Sequence, residues 1–243
     1  MLSSPVLVID ALGFADRIRT ANAEELAALS ERLNRQYHRF KSKAPHKLVV
    51  VFRSAVWGTR EFRTLRLNDM FILHADGPMP DPPQQYTVAS LLLYQTMLLE
   101  GFVPRGGLGY GLILRKDDSL IGSGFLDAYA ASEKREDDTR HICAVRVSLK
   151  LVGMLPPGDG TRRLLCFYKN ALFLHPWGLV DPDLGAFDKG RVMRCLRDAG
   201  ANNTKLSATE AFLENFEDYN AARLPGSASR EFFDRPRTRD PHE

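Results

Sequence analysis

The segment Arg105-Gly-Gly-Leu-Gly-Tyr-Gly-Leu-Ile-Leu-Arg115 limits the fold more than any other part of the chain. It reads as a strand, yet Gly106, Gly107, Gly109 and Gly111 place four glycines within six positions. Glycine inside a strand costs backbone entropy and packs nothing, so this density needs a cause. The cause open to a strand is close approach. Another backbone, or a ligand, must lie where side chains would otherwise stand.

A second stretch, Pro5-Val-Leu-Val-Ile-Asp-Ala-Leu-Gly-Phe14, has the opposite character. Val6 to Ile9 is β-branched and aliphatic, the pattern of a buried strand. It ends on a carboxylate, Asp10; Gly13 then breaks the strand, and a helical pattern begins near Ala15. A carboxylate at the end of a central strand, beside a glycine turn, stands where open α/β sheets put their ligands. The same residue also suits a plain helix cap.

From Ala23 to Lys43, the residues Leu26, Leu29, Leu33, Tyr37 and Phe40 recur at spacings of three and four, one apolar helical stripe. Asn22 is placed to cap this helix, with Glu24 and Glu25 in its positive first turn, and Pro45 is expected to end it. Lys47 to Phe52 reads as a strand. Glu61 to Leu67 and Met70 to His74 read as a strand pair around Asn68-Asp69, both residues tolerant of positive φ. Residues 76–83 hold four prolines and form a loop. Tyr86 to Gly101 is a strongly apolar helix closed by glycine.

After the glycine strand, Lys116 to Ser119 turns the chain and Phe125 to Arg135 is a helix. Ile142 to Leu149 is a strand, and Arg163 to Tyr168 and Ala171 to Leu174 form a hairpin around Lys169-Asn170. Two helices follow, Lys189 to Asp198 and Ser207 to Ala221. The order gives an α+β fold: a βαββαβ sheet with helices on one face, plus a C-terminal α/β extension. One domain over 1–223 is expected, with 224–243 a disordered tail of Pro, Gly, Ser, Arg and Asp. No internal repeat is present.

Bulk properties exclude several classes. A net charge of +3 gives no global case for nucleic acid or an anionic membrane. The longest apolar runs are too short to span a bilayer, and no basic region followed by an apolar run opens the chain, so a cytoplasmic protein is expected. Cys143, Cys166 and Cys195 are odd in number and widely spaced, which argues for a reducing compartment. Neither they nor the six scattered histidines have zinc-site spacing.

Four pieces then fall in a telling order: Asp10-Ala-Leu-Gly-Phe14, Asn68-Asp69-Met-Phe71, Arg105-Gly-Gly-Leu108 and Gly122-Ser-Gly-Phe-Leu-Asp-Ala-Tyr129. Together they resemble the class III nucleotide cyclase catalytic domain. Within it they are most similar to the stand-alone bacterial pyrimidine cyclases of Pycsar antiphage systems. His175-Pro-Trp-Gly178 and the aromatic helix around Phe212 resemble that group's C-terminal part, so the likeness covers about Pro5 to Ala221. It implies a ferredoxin-like, palm-type antiparallel sheet. It also implies an enzyme that turns UTP or CTP into a 3′,5′-cyclic monophosphate and pyrophosphate with Mn²⁺ or Mg²⁺. Metal ligands are then implied at Asp10, Ala11 and Asp69, and catalytic roles at Asp10, Asp69 and Arg105. Substrate contacts are implied at the backbone of Leu12, Gly13 and Phe14, and at Gly106, Gly107 and Tyr129. The sites would form in a head-to-tail homodimer, with Arg105 and the helix after Gly122 serving the partner's site.

The chain departs from that pattern. The family's ribose-orienting Asn and charge-stabilising Arg fall on Leu126 and Ala130, which donate no side-chain hydrogen bond. The base-selecting Lys falls on Leu65. Arg66, Lys134 and Arg135 are candidate replacements for the missing positive charge. A cyclase-fold protein that binds a nucleotide or partner without turnover is the competing expectation, and a structural dimerisation module is a third.

Overall fold

The computed structural model describes residues 2–12, 14–52, 63–67, 70–74, 82–116, 119–134, 139–155, 160–176 and 189–221. The expected tail 224–243 lies outside them, as do Gly13, Asn68, Asp69, Arg135, Trp177 and Gly178.

Strand β1 (Leu2–Ala11) lies near the middle of the sheet. β2 (Arg63–Leu67) and β3 (Met70–His74) pair antiparallel, and β3 pairs antiparallel with β1. β4 (Pro104–Lys116) flanks β1 on its other side, also antiparallel, through a register from Leu2↔Ile113 to Ala11↔Pro104. β6 (Val145–Val147) joins β4 in parallel, followed by the antiparallel pair β8 (Ala171–Leu174) and β7 (Leu165–Tyr168). The order is β2-β3-β1-β4-β6-β8-β7, with β5 (Ser119–Ile121) paired to the far end of β4. The molecule is therefore a mixed sheet with helices, as an α+β reading requires.

Helices cover both faces, not the single face expected. Alternation along β1 sends Leu7, Ile9 and Ala11 to one side and Val6 and Val8 to the other. Leu7 and Ile9 join the main core with α2 (Ala23–Phe52) and α3 (Pro82–Leu99), while Val6, Val8, Ile72 and Ile113 pack on α4 (Ser123–Glu133) through Ala128 and Phe125. The glycines of β4 are the reason. A Cβ added at Gly107 would lie 2.0 Å from Ala128 O, at Gly109 2.3 Å from Ala128 N, and at Gly111 2.6 Å from Gly124 N. The close approach foreseen for the glycine strand is thus made by the backbone of α4.

Side chains of α4 complete the contact. Beyond Leu108, β4 has lost its β6 neighbour, so its outward amides need acceptors. Tyr110 N–H donates to Asp127 Oδ2 at 2.9 Å, and Leu112 N–H donates to Ser123 Oγ at 3.0 Å. Four helical residues rise about 6 Å, close to the ~6.8 Å of two antiparallel strand residues. One helix face can therefore serve alternate amides of a strand, in place of another strand.

α2 opens on the expected Asn22 cap, made reciprocal by Glu25: Asn22 N–H donates to Glu25 Oε2 at 2.8 Å and Glu25 N–H to Asn22 Oδ1 at 3.0 Å. It does not end at Pro45, and Lys47 to Phe52 are its last residues rather than a strand. A short apolar run does not by periodicity separate a strand from a buried helix. An interior proline removes one ladder bond and commonly kinks a helix without always stopping it. α3 is buried on all sides and is closed just beyond its end by Gly101, whose φ of 77° lets Phe102 N–H reach Met97 O at 2.9 Å.

The expected strand 142–149 contracts to β6, because Ser148 starts a helix there. Its N–H reaches Leu108 O at 2.8 Å, while its Oγ accepts from Leu151 N at 3.3 Å and caps α5 (Leu149–Met154). Lys169 and Asn170 form the expected hairpin turn, with φ of 46° and 58°. Positive φ at both central residues matches the right-handed twist of the flanking strands. α6 (Lys189–Asp198) and α7 (Asn203–Ala221) close the chain, and α7 seats Phe212 edge-on against Phe173 and Tyr168. No described helix is long and apolar enough to cross a membrane.

Candidate active site

Asp10 follows Val6 and Val8 on the α4 side of the sheet, at the end of β1, and is half-buried. Its register partner on β4 is Arg105. The Arg105 side chain is 22% exposed, with its guanidinium 3.5 Å from Ser132 O and 3.9 Å from the Glu133 carboxylate, both in the last turn of α4. Arg105, expected to serve a partner's site, thus lies directly across from Asp10 of its own chain. Its Nε–H is buried and has no acceptor among the described residues.

The main chain beyond Asp10 divides its groups. Leu12 N–H donates to Val103 O at 2.9 Å, so this amide, expected to cradle phosphate, is committed to the edge of the β1–β4 pairing. By antiparallel alternation the peptide groups of Ala11 then point to the β3 side. Among the described residues, the last β1–β3 pair is Ile9↔Phe71, and Ala11 lies two residues beyond it along β1. Phe14, another backbone candidate, has its ring in the core, 6.4 Å from the Phe102 ring, and anchors the entry to α1 (Phe14–Thr20).

The two glycine candidates face protein. Gly107 lies under α4, and a Cβ at Gly106 would lie 2.3 Å from Val8 O. Tyr129 is 48% exposed on α4 and stacks on Phe125, ring centroids 6.2 Å apart at 20°. Leu126, one turn earlier, is 64% exposed, and Ala130 is half-buried. Leu65, on β2, is half-buried against the α4-side cluster. The outer surface of α4 is therefore apolar at Leu126 and Tyr129.

Asp69 and Gly13 lie outside the described residues, so Asp10 is the described acid of the expected pair. The register puts Phe71 level with Ile9, which brings the beginning of β3 to the Asp10 end of β1. Among the described residues, no three His, Cys, Asp or Glu side chains gather as a metal cage. Of the expected metal ligands, those described are the Asp10 carboxylate and the Ala11 carbonyl, oxygen donors of the kind that hard Mg²⁺ or Mn²⁺ prefer. A scan against protein families finds no match to the chain, and a search of curated proteins finds none either.

Sequence reading missed Arg146. It lies on β6 opposite Gly107, and its guanidinium donates to Lys134 O at 3.3 Å. The available signal was a charge between two valines in a short buried strand. Asp127 was also missed as a ligand of β4, since nothing in a helix sequence announces a main-chain partner 17 residues away.

Proposed function

We propose that the chain is a nucleotide cyclase acting on a pyrimidine triphosphate, UTP or CTP, as a signal generator of antiphage defence. The observation that carries this reading is the placement of Asp10 at the end of β1, level with Arg105 and at the end of the sheet where β3 begins. The all-antiparallel order β2-β3-β1-β4 supports the ferredoxin-like βαββαβ core expected for such an enzyme.

In the proposed reaction the ribose 3′-oxygen attacks the α-phosphorus in line. A new P–O bond forms, the bond to the β-phosphate oxygen breaks, and pyrophosphate leaves with the electron pair. The 3′-hydroxyl proton passes to solvent. Mg²⁺ or Mn²⁺ held by Asp10, the Ala11 carbonyl and Asp69 would supply charge neutralisation at the attacking and leaving oxygens. The protein holds Asp10 in place through the β1–β4 register and sets a guanidinium beside it. The exposed apolar residues Leu126 and Tyr129 support assembly with a second copy through α4. The pyrimidine preference rests on the family likeness, helped by Leu65 in place of a base-selecting lysine.

A second reading, nucleotide binding without turnover, is favoured by Leu126 and Ala130, which leave α4 without a transition-state cation. Incubation with each of the four nucleoside triphosphates and Mn²⁺, with mass detection of cyclic products, separates the two. A cyclic pyrimidine product that disappears in Asp69→Ala supports the first. No product from a folded dimer supports the second. Product that survives Asp69→Ala removes the two-metal assignment.

A further inference from the structure

Three neighbouring strands carry charge on the α4 side of the sheet at one end: Asp10 on β1, Arg105 on β4 and Arg146 on β6. Asp10 pairs with Arg105, and Arg146 pairs with Gly107, two residues further along β4 on the same face. Strand spacing and rise put the two arginine positions about 8 Å apart. Both guanidiniums run to the last turn of α4, Arg105 to Ser132 O at 3.5 Å and Arg146 to Lys134 O at 3.3 Å.

Each fork has capacity left over. A guanidinium carries five N–H donors, and Arg146 uses one on Lys134 O. Arg105 has its buried Nε–H without an acceptor among the described residues, an unmade bond that an arriving acceptor would complete. Lys134 adds a third, exposed cation at the same end of α4. Among the described residues, the acidic neighbours are Asp10 and Glu133. Glu133 is 43% exposed and 3.9 Å from Arg105, a long, solvated contact of little strength.

We infer that Arg105 and Arg146 form a seat for a polyphosphate, the triphosphate chain of the nucleotide, beside Asp10. This deepens the cyclase reading and rests on it. Two planar forks on adjacent strands match an anion with charge spread along a chain, since each fork pairs with phosphate oxygens in two parallel bonds. A lone carboxylate reaches only one of them. Asp10 repels an anion unless a divalent cation sits on it, so the seat takes the metal-bound form of the chain.

Arg146 is the informative residue, because Arg105 also borders Asp10. The experiment is a calorimetric titration of the full chain with inorganic tripolyphosphate in Mn²⁺, using wild type, Arg146→Gln and Arg146→Lys, with an unfolding scan of each. Wild type is expected to bind tripolyphosphate more tightly than orthophosphate. Arg146→Gln is expected to weaken it about tenfold, the scale of one charge-assisted hydrogen bond, and Arg146→Lys to restore part of that. A role confined to holding α4 would lower the unfolding temperature of Arg146→Gln and leave the affinity of the folded protein unchanged. That result overturns the seat, as does wild type that binds no tripolyphosphate or folded Lys and Gln variants that bind alike. Turnover is read separately. Arg146-dependent binding without cyclic product keeps the seat and removes the cyclase, whereas cyclic product at an unchanged KM in Arg146→Gln does the reverse.

Discussion

Asp10 and Arg105 stand directly opposite each other on the two central antiparallel strands, so the described carboxylate of the expected metal site has an arginine as its cross-strand neighbour. Adjacent side chains on one sheet face lie about 5 Å apart at Cβ. The pairing fixes the carboxylate's position through the main chain, independently of either loop that follows. The acid is therefore set on a paired strand rather than on a loop.

The first prediction follows from that placement. Asp10→Asn keeps the shape and removes the charge. Cyclic product should fall by more than about 100-fold, the scale of losing one charge-stabilising group, while the unfolding transition changes little. Comparing product rates with thermal scans on the same samples checks this. A variant that unfolds early would assign Asp10 to structure instead.

A second concerns the bed of α4. Gly107→Ala puts a methyl group 2.0 Å from Ala128 O, where backbone must move, and should cost at least about 1–3 kcal/mol. Gly153→Ala, on α5, meets nothing within 4 Å and should gain up to about 1 kcal/mol from helix propensity. Denaturant unfolding of both variants reads the contrast, and equal effects would refute the packing account.

Asp127 offers a test of the helix-for-strand substitution. Asp127→Ala leaves the Tyr110 N–H without its acceptor and should destabilise by about 1–3 kcal/mol. Amide exchange at Tyr110 should quicken more than at Leu108, whose place in β4 is held by the pairing with Val147. Uniform exchange at the two sites is the outcome that counts against it.

Burial pushes the Cys166 thiol well above its ordinary pKa. Above the ordinary thiol value of about 8.5, the unfolded chain loses that proton and the folded chain keeps it. The unfolded state then binds fewer protons, so stability falls as pH rises, by up to ~1.4 kcal/mol per pH unit from this group. Cys166→Ala should show a shallower alkaline loss between pH 8 and the folded-state pKa in denaturant titrations. Parallel slopes for the two proteins would contradict the burial effect.

Features that act over a few residues can be read directly from the chain. The β-branched run before Asp10, the Asn22 cap, the glycine that closes α3 and the Lys169-Asn170 turn act over a few residues, and each was legible. Lys47 to Phe52 was not, because a short apolar run is compatible with strand and helix, and its attachment to the preceding helix decided the matter. The glycines of β4 announced a close neighbour without saying which. Only the tertiary structure identified it as α4, since nothing local distinguishes a packed backbone from a bound ligand. The same holds for charge. Asp10, Arg105 and Arg146 are far apart in sequence and carry no shared motif, and strand register alone brings them to one end of one face. Register is set by the whole buried pattern of the sheet, where a slip of one residue would turn every side chain to the other side.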